Sequence, residues 1–264
     1  MTALSFFLFT PAICHSESDA SDATKPYLRF EETNAPGGSY ALGWGLPKHS
    51  DIWANVCQFE GQHPAGQELN DEDQKRAHEV FQSVDAVAED VENYIVDVRA
   101  GKIVHKLDCR RIFGTRSDRQ LYPDYFSVAG IRPNRHDLEV VWSQAGNLVL
   151  VNHTYRWDCV TFCALLIRDG GVTSSLDLNE KLGAAVRAFA AKSFPRGSGY
   201  LKNNLNVSFS NVKRLSETKF LAQVEAVMGK EWSDEESVVT FSVIPSNERT
   251  ALKAADIRVL RKTE

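Results

Sequence analysis

The chain of 264 residues carries an internal repeat, and the repeat limits which folds are open to it. Residues 95–108, IVDVRAGKIVHKLD, lie over residues 164–177, ALLIRDGGVTSSLD, at a constant offset of 69. Arg99 and Arg168, Gly101 and Gly170, Leu107 and Leu176, and Asp108 and Asp177 are identical pairs. Upstream, Pro36-Gly37-Gly38-Ser39-Tyr40-Ala41-Leu42 matches Gln144-Ala145-Gly146-Asn147-Leu148-Val149-Leu150 at an offset of 108. The difference between the offsets, 39 residues, is the length of an insertion in the first copy. One supersecondary unit used twice accounts for this pattern, each copy needing a neighbour to bury its apolar face.

The second copy shows what the unit is. Leu138, Val140 and Trp142 alternate with Glu139, Val141 and Ser143, and Gln144-Ala145-Gly146-Asn147 supplies a turn. Leu148 to Val151 and Val160 to Ile167 are apolar runs of strand length, rich in β-branched residues. Asp169-Gly170-Gly171 then predicts a hairpin, because two consecutive residues there tolerate positive φ. The expectation is a four-stranded antiparallel sheet.

The insertion falls between Leu46 and Ile95. Its first part, Pro47 to Gln67, reads as loop because of Pro47, Gly61, Pro64 and Gly66. Its second part reads as helix. Asn70 caps it, Asp71, Glu72 and Asp73 suit the positive end of the dipole, and Ala77, Val80, Phe81, Val84, Val87, Ala88 and Val91 form an apolar stripe. Between Glu68 and Glu92 there are nine Asp/Glu against two Lys/Arg. Such a face is either simply solvated or a site for a cation or a basic partner.

After the second copy, Asn179 to Ser193 predicts a helix, ended by Pro195 and Gly197. Leu205 to Val212, Lys219 to Met228, Ser237 to Ile244 and Ala251 to Leu260 follow as β segments, and an antiparallel meander is expected.

The net charge of −5 argues against nucleic acid as the partner. Leu4 to Ile13 is an apolar run followed by the Ser/Asp-rich stretch Ser16 to Thr24, which reads as a secretory signal and lead-in, with a buried N-terminal strand as the alternative. The run is too short to span a bilayer. If Cys14 leaves with the signal, Cys57, Cys109, Cys159 and Cys163 remain. Cys159 and Cys163 on one strand stand about 13 Å apart, too far to bond, and Cys57 with Cys109 is the preferred pairing. With no CxxC pair, no metal centre is expected, and no cofactor motif is present.

Between Cys109 and Asp137 the chain turns basic. Arg110, Arg111, Arg116 and Arg119 share this segment with Tyr122 and Tyr125, residue types that together bind anionic polymers or stack on rings. The plainer reading is that these arginines balance the acidic helix within the same molecule.

Two resemblances add to this. At Pro36 to Leu42, Asn93 to Asp108 and Val141 to Asn147 the chain resembles bacterial exported β-propeller-like repeats of the WD40/TolB kind. Their blades carry a W-S-P-D-G turn, an apolar strand and a V-D-x-x-T-G-K hairpin. Here Gln144-Ala145 replaces Pro-Asp, and Ala100 stands before Gly101-Lys102. Two units are too few for a closed ring, so the likeness implies an incomplete propeller and a binding or scaffolding role. Separately, Asp158-Cys159-Val160-Thr161 is similar to the D-C-S-G nucleophile motif of NlpC/P60 cell-wall peptidases. That family's base is a histidine downstream of the cysteine, and none follows Cys159 here, which leaves His153 as the nearest candidate.

The expectation is therefore a mainly β protein: two propeller-blade-like antiparallel four-stranded units with an inserted helix, then a C-terminal helix plus antiparallel meander. Residues 1–25 form the signal and lead-in, 26–178 the two units with their insertion at 47–92, and 179–264 the remainder. The expected function is non-catalytic binding or scaffolding, periplasmic or secreted, with an anionic envelope polymer or another exported protein as partner. The alternative is a cysteine peptidase or amidase using Cys159 and His153.

Overall fold

The computed structural model describes residues 25–64, 67–108, 112–113, 120–121, 123–155, 158–193, 205–228, 232–234, 237–245 and 251–261. Strands β1 (Leu28–Arg29), β2 (Tyr40–Gly45), β3 (Glu92–Asp97) and β4 (Lys102–Lys106) pair antiparallel in chain order. After a short hairpin of β5 (Ile112–Phe113) and β6 (Gln120–Leu121), the same order recurs. The second sheet holds β7 (His136–Trp142), β8 (Leu148–Tyr155), β9 (Asp158–Arg168) and β10 (Gly171–Asp177).

The offset that aligns the two sequences also aligns the two sheets. The β9–β10 turn places Asp169 at φ 52° and Gly170 at φ 73°, the two left-handed residues that a right-twisted hairpin requires. Gly38 and Gly146, one repeat apart, both adopt positive φ (66° and 69°) ahead of β2 and β8. Among the described residues, the two four-stranded units form an incomplete propeller-like arrangement and no closed barrel.

The insertion between β2 and β3 differs from expectation. Residues 47–67, read as loop, contain the helix α1 (Ser50–Gln62). Pro47, Gly61 and Pro64 frame this helix at its ends rather than break it, and Trp53, Val56 and Phe59 recur every three residues to face the core. The second helix, α2 (Asp71–Asp85), starts where expected. Asn70 Oδ1 accepts the backbone N–H of Asp73 at 2.9 Å, and Ala77, Val80 and Val84 are buried. A 3-10 turn (Ala88–Asp90) returns the chain to β3, braced by Lys48 and His49 on the Asp90 carboxylate. These two partners hold that carboxyl below its usual range.

Helix α3 (Leu178–Ser193) leads to a third sheet. It contains β11 (Asn206–Arg214), β12 (Lys219–Met228), β13 (Trp232–Asp234), β14 (Ser237–Pro245) and β15 (Leu252–Arg261), in the order β11-β12-β14-β15, with β13 pairing β12. The four expected segments are all present as an antiparallel meander.

The second sheet is the middle layer, covered on both faces. Val149, Val151, Cys163, Leu165 and Ile167 pack with Leu42, Trp44 and Ile95 of the first sheet and with Trp53, Phe59 and Val84 of the insertion. Leu148, Leu150, Phe162, Ala164 and Leu166 pack instead with Leu182 and Val186 of α3 and with Phe209, Phe220 and Phe241 of the third sheet. Each large side chain so buried contributes about 1.5–3 kcal/mol. Two-sided burial is why residues 160–167 read as a continuous apolar run rather than a polar–apolar alternation. Among the described residues, no helix is long and apolar enough to cross a membrane.

Candidate functional site

Of the residues singled out by the sequence, Tyr125, Cys159 and His153 are among those described. Arg110, Arg111, Arg116, Arg119 and Tyr122 lie outside the described residues, as does Cys109. Cys57 is a free thiol on α1, and its expected partner Cys109 lies outside the described residues. Tyr125 is only 7% exposed. Its ring meets Phe30 edge-on at 5.5 Å, and its backbone exchanges two hydrogen bonds with the Asn93 side chain, at 2.6 and 2.9 Å. Burial pushes its hydroxyl pKa up, partly offset by a bond from Arg132. Tyr125 thus ties its loop to β3 and presents no ring face to solvent.

Cys159 lies inside β9 and is fully buried. Strict alternation from Cys163 predicts that the two cysteines share a face, and here the structure corrects the sequence. His153 pairs with Thr161 but Thr154 pairs with Cys159, so Val160 is the extra residue of a β-bulge. The bulge turns Cys159 into the core shared with α3 and the third sheet, while Cys163 remains in the opposite core. There the Cys159 thiol donates to Asn152 Oδ1 at 3.7 Å, and its carbonyl accepts from Asn179 Nδ2 at 3.3 Å. Asn152 completes its own bonding by donating to Glu139 at 3.0 Å and to the Phe209 carbonyl at 2.7 Å. Its neighbour His153 points to the other face of β8. The thiol and the imidazole are therefore separated by the sheet itself.

His153 has a different companion. Its Nε2 is 2.9 Å from Nδ1 of His136, and the two residues are 3% and 6% exposed. The β7–β8 register pairs Leu138 with His153 and His136 with Tyr155, which makes the two imidazoles diagonal neighbours on one face. Tyr155 lies 4.8 Å from His136, and Tyr125 lies 5.8 Å from His153. Burial lowers the His136 pKa, against the opposing pull of Asp85 and Asp137. The two histidines stand 17 residues apart in the chain, with nothing local to pair them. The hairpin turn at Ala145–Gly146 carried the signal that would have paired them, because it sets the register.

The described surface does contain a groove, of about 720 Å³. One wall is a single face of α2, made by Asp71, Gln74, Lys75 and His78, with Leu69 just before the helix. The other wall is Ala129 and Ile131, from a tight turn in which Val128 and Ile131 exchange backbone bonds at 2.9 and 2.8 Å. Ala129 sits at φ 49°, a conformation an alanine adopts only when held. Glu60 of α1 holds it, accepting the Ala129 N–H at 2.6 Å. Burial raises the Glu60 pKa, and that backbone bond opposes the rise. Between α1 and α2, His63 joins Asp73 at 3.2 Å and Arg76 lies over the Phe59 ring at 5.8 Å.

Among the described residues, no three His, Cys, Asp or Glu side chains are grouped to hold a metal ion. The groove offers three aliphatic side chains and four polar or charged ones, a lining suited to contact. No family model matches the chain, and no curated protein or solved structure matches it significantly.

Proposed function

We propose that the protein is a non-catalytic binding protein of the cell envelope, exported by its apolar N-terminal run, and that its partner is another exported protein. The groove between α2 and the Val128–Ile131 turn carries this reading. It is built by the segment inserted into the sheet frame and by a strained turn that Glu60 fixes in place. An anionic polymer is the less suited partner at this site, because the α2 wall lies in a segment with nine carboxylates against two basic residues. The peptidase alternative lacks support in the geometry: a cysteine nucleophile needs access and a base within about 3 Å, and the sheet stands between Cys159 and His153.

Two measurements test the reading. A photo-crosslinking side chain introduced at Lys75 should capture a discrete partner in the producing cell, and one at Ser175 on β10 should not. Identical results from both positions would remove the groove as the binding surface. Iodoacetamide near pH 7 should reach Cys57 before Cys159. Fast, selective labelling of Cys159 with loss of a peptidoglycan-cleaving activity would establish the enzyme instead.

A further inference from the structure

We infer that the groove takes a peptide segment of a partner protein that carries lysine or arginine around a bulky apolar side chain. The inference rests on the binding reading above and names the chemistry of the partner.

Leu69, Ala129 and Ile131 are each left partly exposed by the packing of the helices, and together they offer an aliphatic seat. A ligand side chain of leucine or phenylalanine size removes that surface from water, and size matters because the groove is open rather than enclosed. The charges around the seat set the sign of the rest of the ligand. Glu68, Asp71, Glu72 and Glu79 are exposed, and none forms an ion pair with a described residue. Neighbouring charges are committed elsewhere: Asp73 to His63, Arg76 to Phe59 and Gln62, and Arg132 to Asp137. Among the described residues, Lys75 is the one exposed lysine or arginine in the groove lining. Among the described residues, a ligand approaching the seat therefore meets Asp71 in the lining and Glu68, Glu72 and Glu79 along or just before the same helix, against the ammonium of Lys75. A basic segment is attracted and a polyanion is repelled. A second copy of the chain would bring the same acidic helix to the contact, and like charges across a two-fold interface oppose it.

The test uses the full chain and three fluorescein-labelled synthetic peptides, read by fluorescence anisotropy. The first alternates Lys and Arg around a Leu-Phe pair. In the second, Ser replaces the Leu-Phe pair. In the third, Glu replaces Lys and Arg. The first should bind, weakening about tenfold as ionic strength rises from about 0.05 to about 0.3 M, and the other two should bind at least about tenfold more weakly. The double variant Glu72→Lys/Glu79→Lys should weaken the first peptide at least about tenfold. Lys75→Glu should strengthen it. These three positions are exposed, so circular dichroism and urea denaturation should show both variants folded. Preference for the acidic peptide, displacement by heparin alone, or indifference to both variants overturns the inference, as does a dimer in sedimentation velocity that Lys75→Glu stabilises. If the crosslinker at Lys75 captures a partner while the first peptide fails to bind, the binding reading stands and the basic chemistry falls. If the crosslinker also captures nothing, both fall.

Discussion

The indole N–H of Trp142 donates to the carbonyl of Thr33 at 2.8 Å, joining the second sheet to the β1–β2 connection of the first across 109 residues. The Trp142 ring stacks on Tyr40 at 6.5 Å, and its own carbonyl accepts from Arg214 of the third sheet at 3.1 Å. One residue thus touches all three layers. Beside it, Glu217 caps the β7–β8 turn by accepting the N–H groups of Gln144 and Ala145 at 3.0 and 3.3 Å. Trp142→Phe keeps an aromatic ring but leaves the Thr33 carbonyl without that donor. The expected loss is about 1–3 kcal/mol, measured as a shift in the urea midpoint at unchanged slope.

The insertion is part of the core. Trp53, Val56, Phe59, Ala77, Val80 and Val84 belong to the same cluster as Leu42, Trp44 and Ile95. Replacing residues 47–90 with a short turn should therefore abolish folding rather than merely shorten the chain, with loss of the cooperative unfolding transition. Phe59→Ala alone should cost about 3–5 kcal/mol.

The buried histidine pair predicts a direction of pH dependence. Burial depresses the folded-state pKa of His136, so the unfolded chain binds the proton more readily. The associated stability is fully present above about pH 6.5 and is lost as pH falls through the folded value. Asp85 and Asp137 pull in the opposite direction and limit the loss. Urea midpoints between about pH 7.5 and pH 5 should fall in the native protein and fall less in His136→Gln.

Glu60 carries the opposite sign. Its folded pKa is raised by burial, so folding disfavours the ionised form, and stability declines as pH rises from its unfolded value toward the folded one. Glu60→Gln retains an oxygen for the Ala129 N–H and sheds the charge. It should leave stability at neutral pH unchanged or slightly higher. Glu60→Ala removes the acceptor and should cost about 1–3 kcal/mol. It should also raise amide exchange at Ala129 and Gly130, measured by hydrogen–deuterium exchange.

Wherever a feature is decided within a few neighbouring residues, the amino-acid sequence determined it. The hairpin at Asp169–Gly170 follows from positive φ, α2 from the Asn70 cap and its stripe, and the meander from strand-length runs between polar turns. The repeat extended this to the pairing order of both four-stranded sheets, because strand-length apolar runs separated by turns at corresponding positions pair in the same order. Three features needed the tertiary structure. Helix α1 was hidden because Pro47, Gly61 and Pro64 at its ends look like loop until the apolar partners of Trp53, Val56 and Phe59 are known. The bulge at Val160, which places Cys159 in one core and Cys163 in the other, depends on which β8 residue each β9 residue meets. The groove depends on Glu60 reaching Ala129, 69 positions along the chain. In each case the controlling contact is distant in sequence. Local propensity carries no term for it, and only packing chooses among the registers and faces that the chain leaves open.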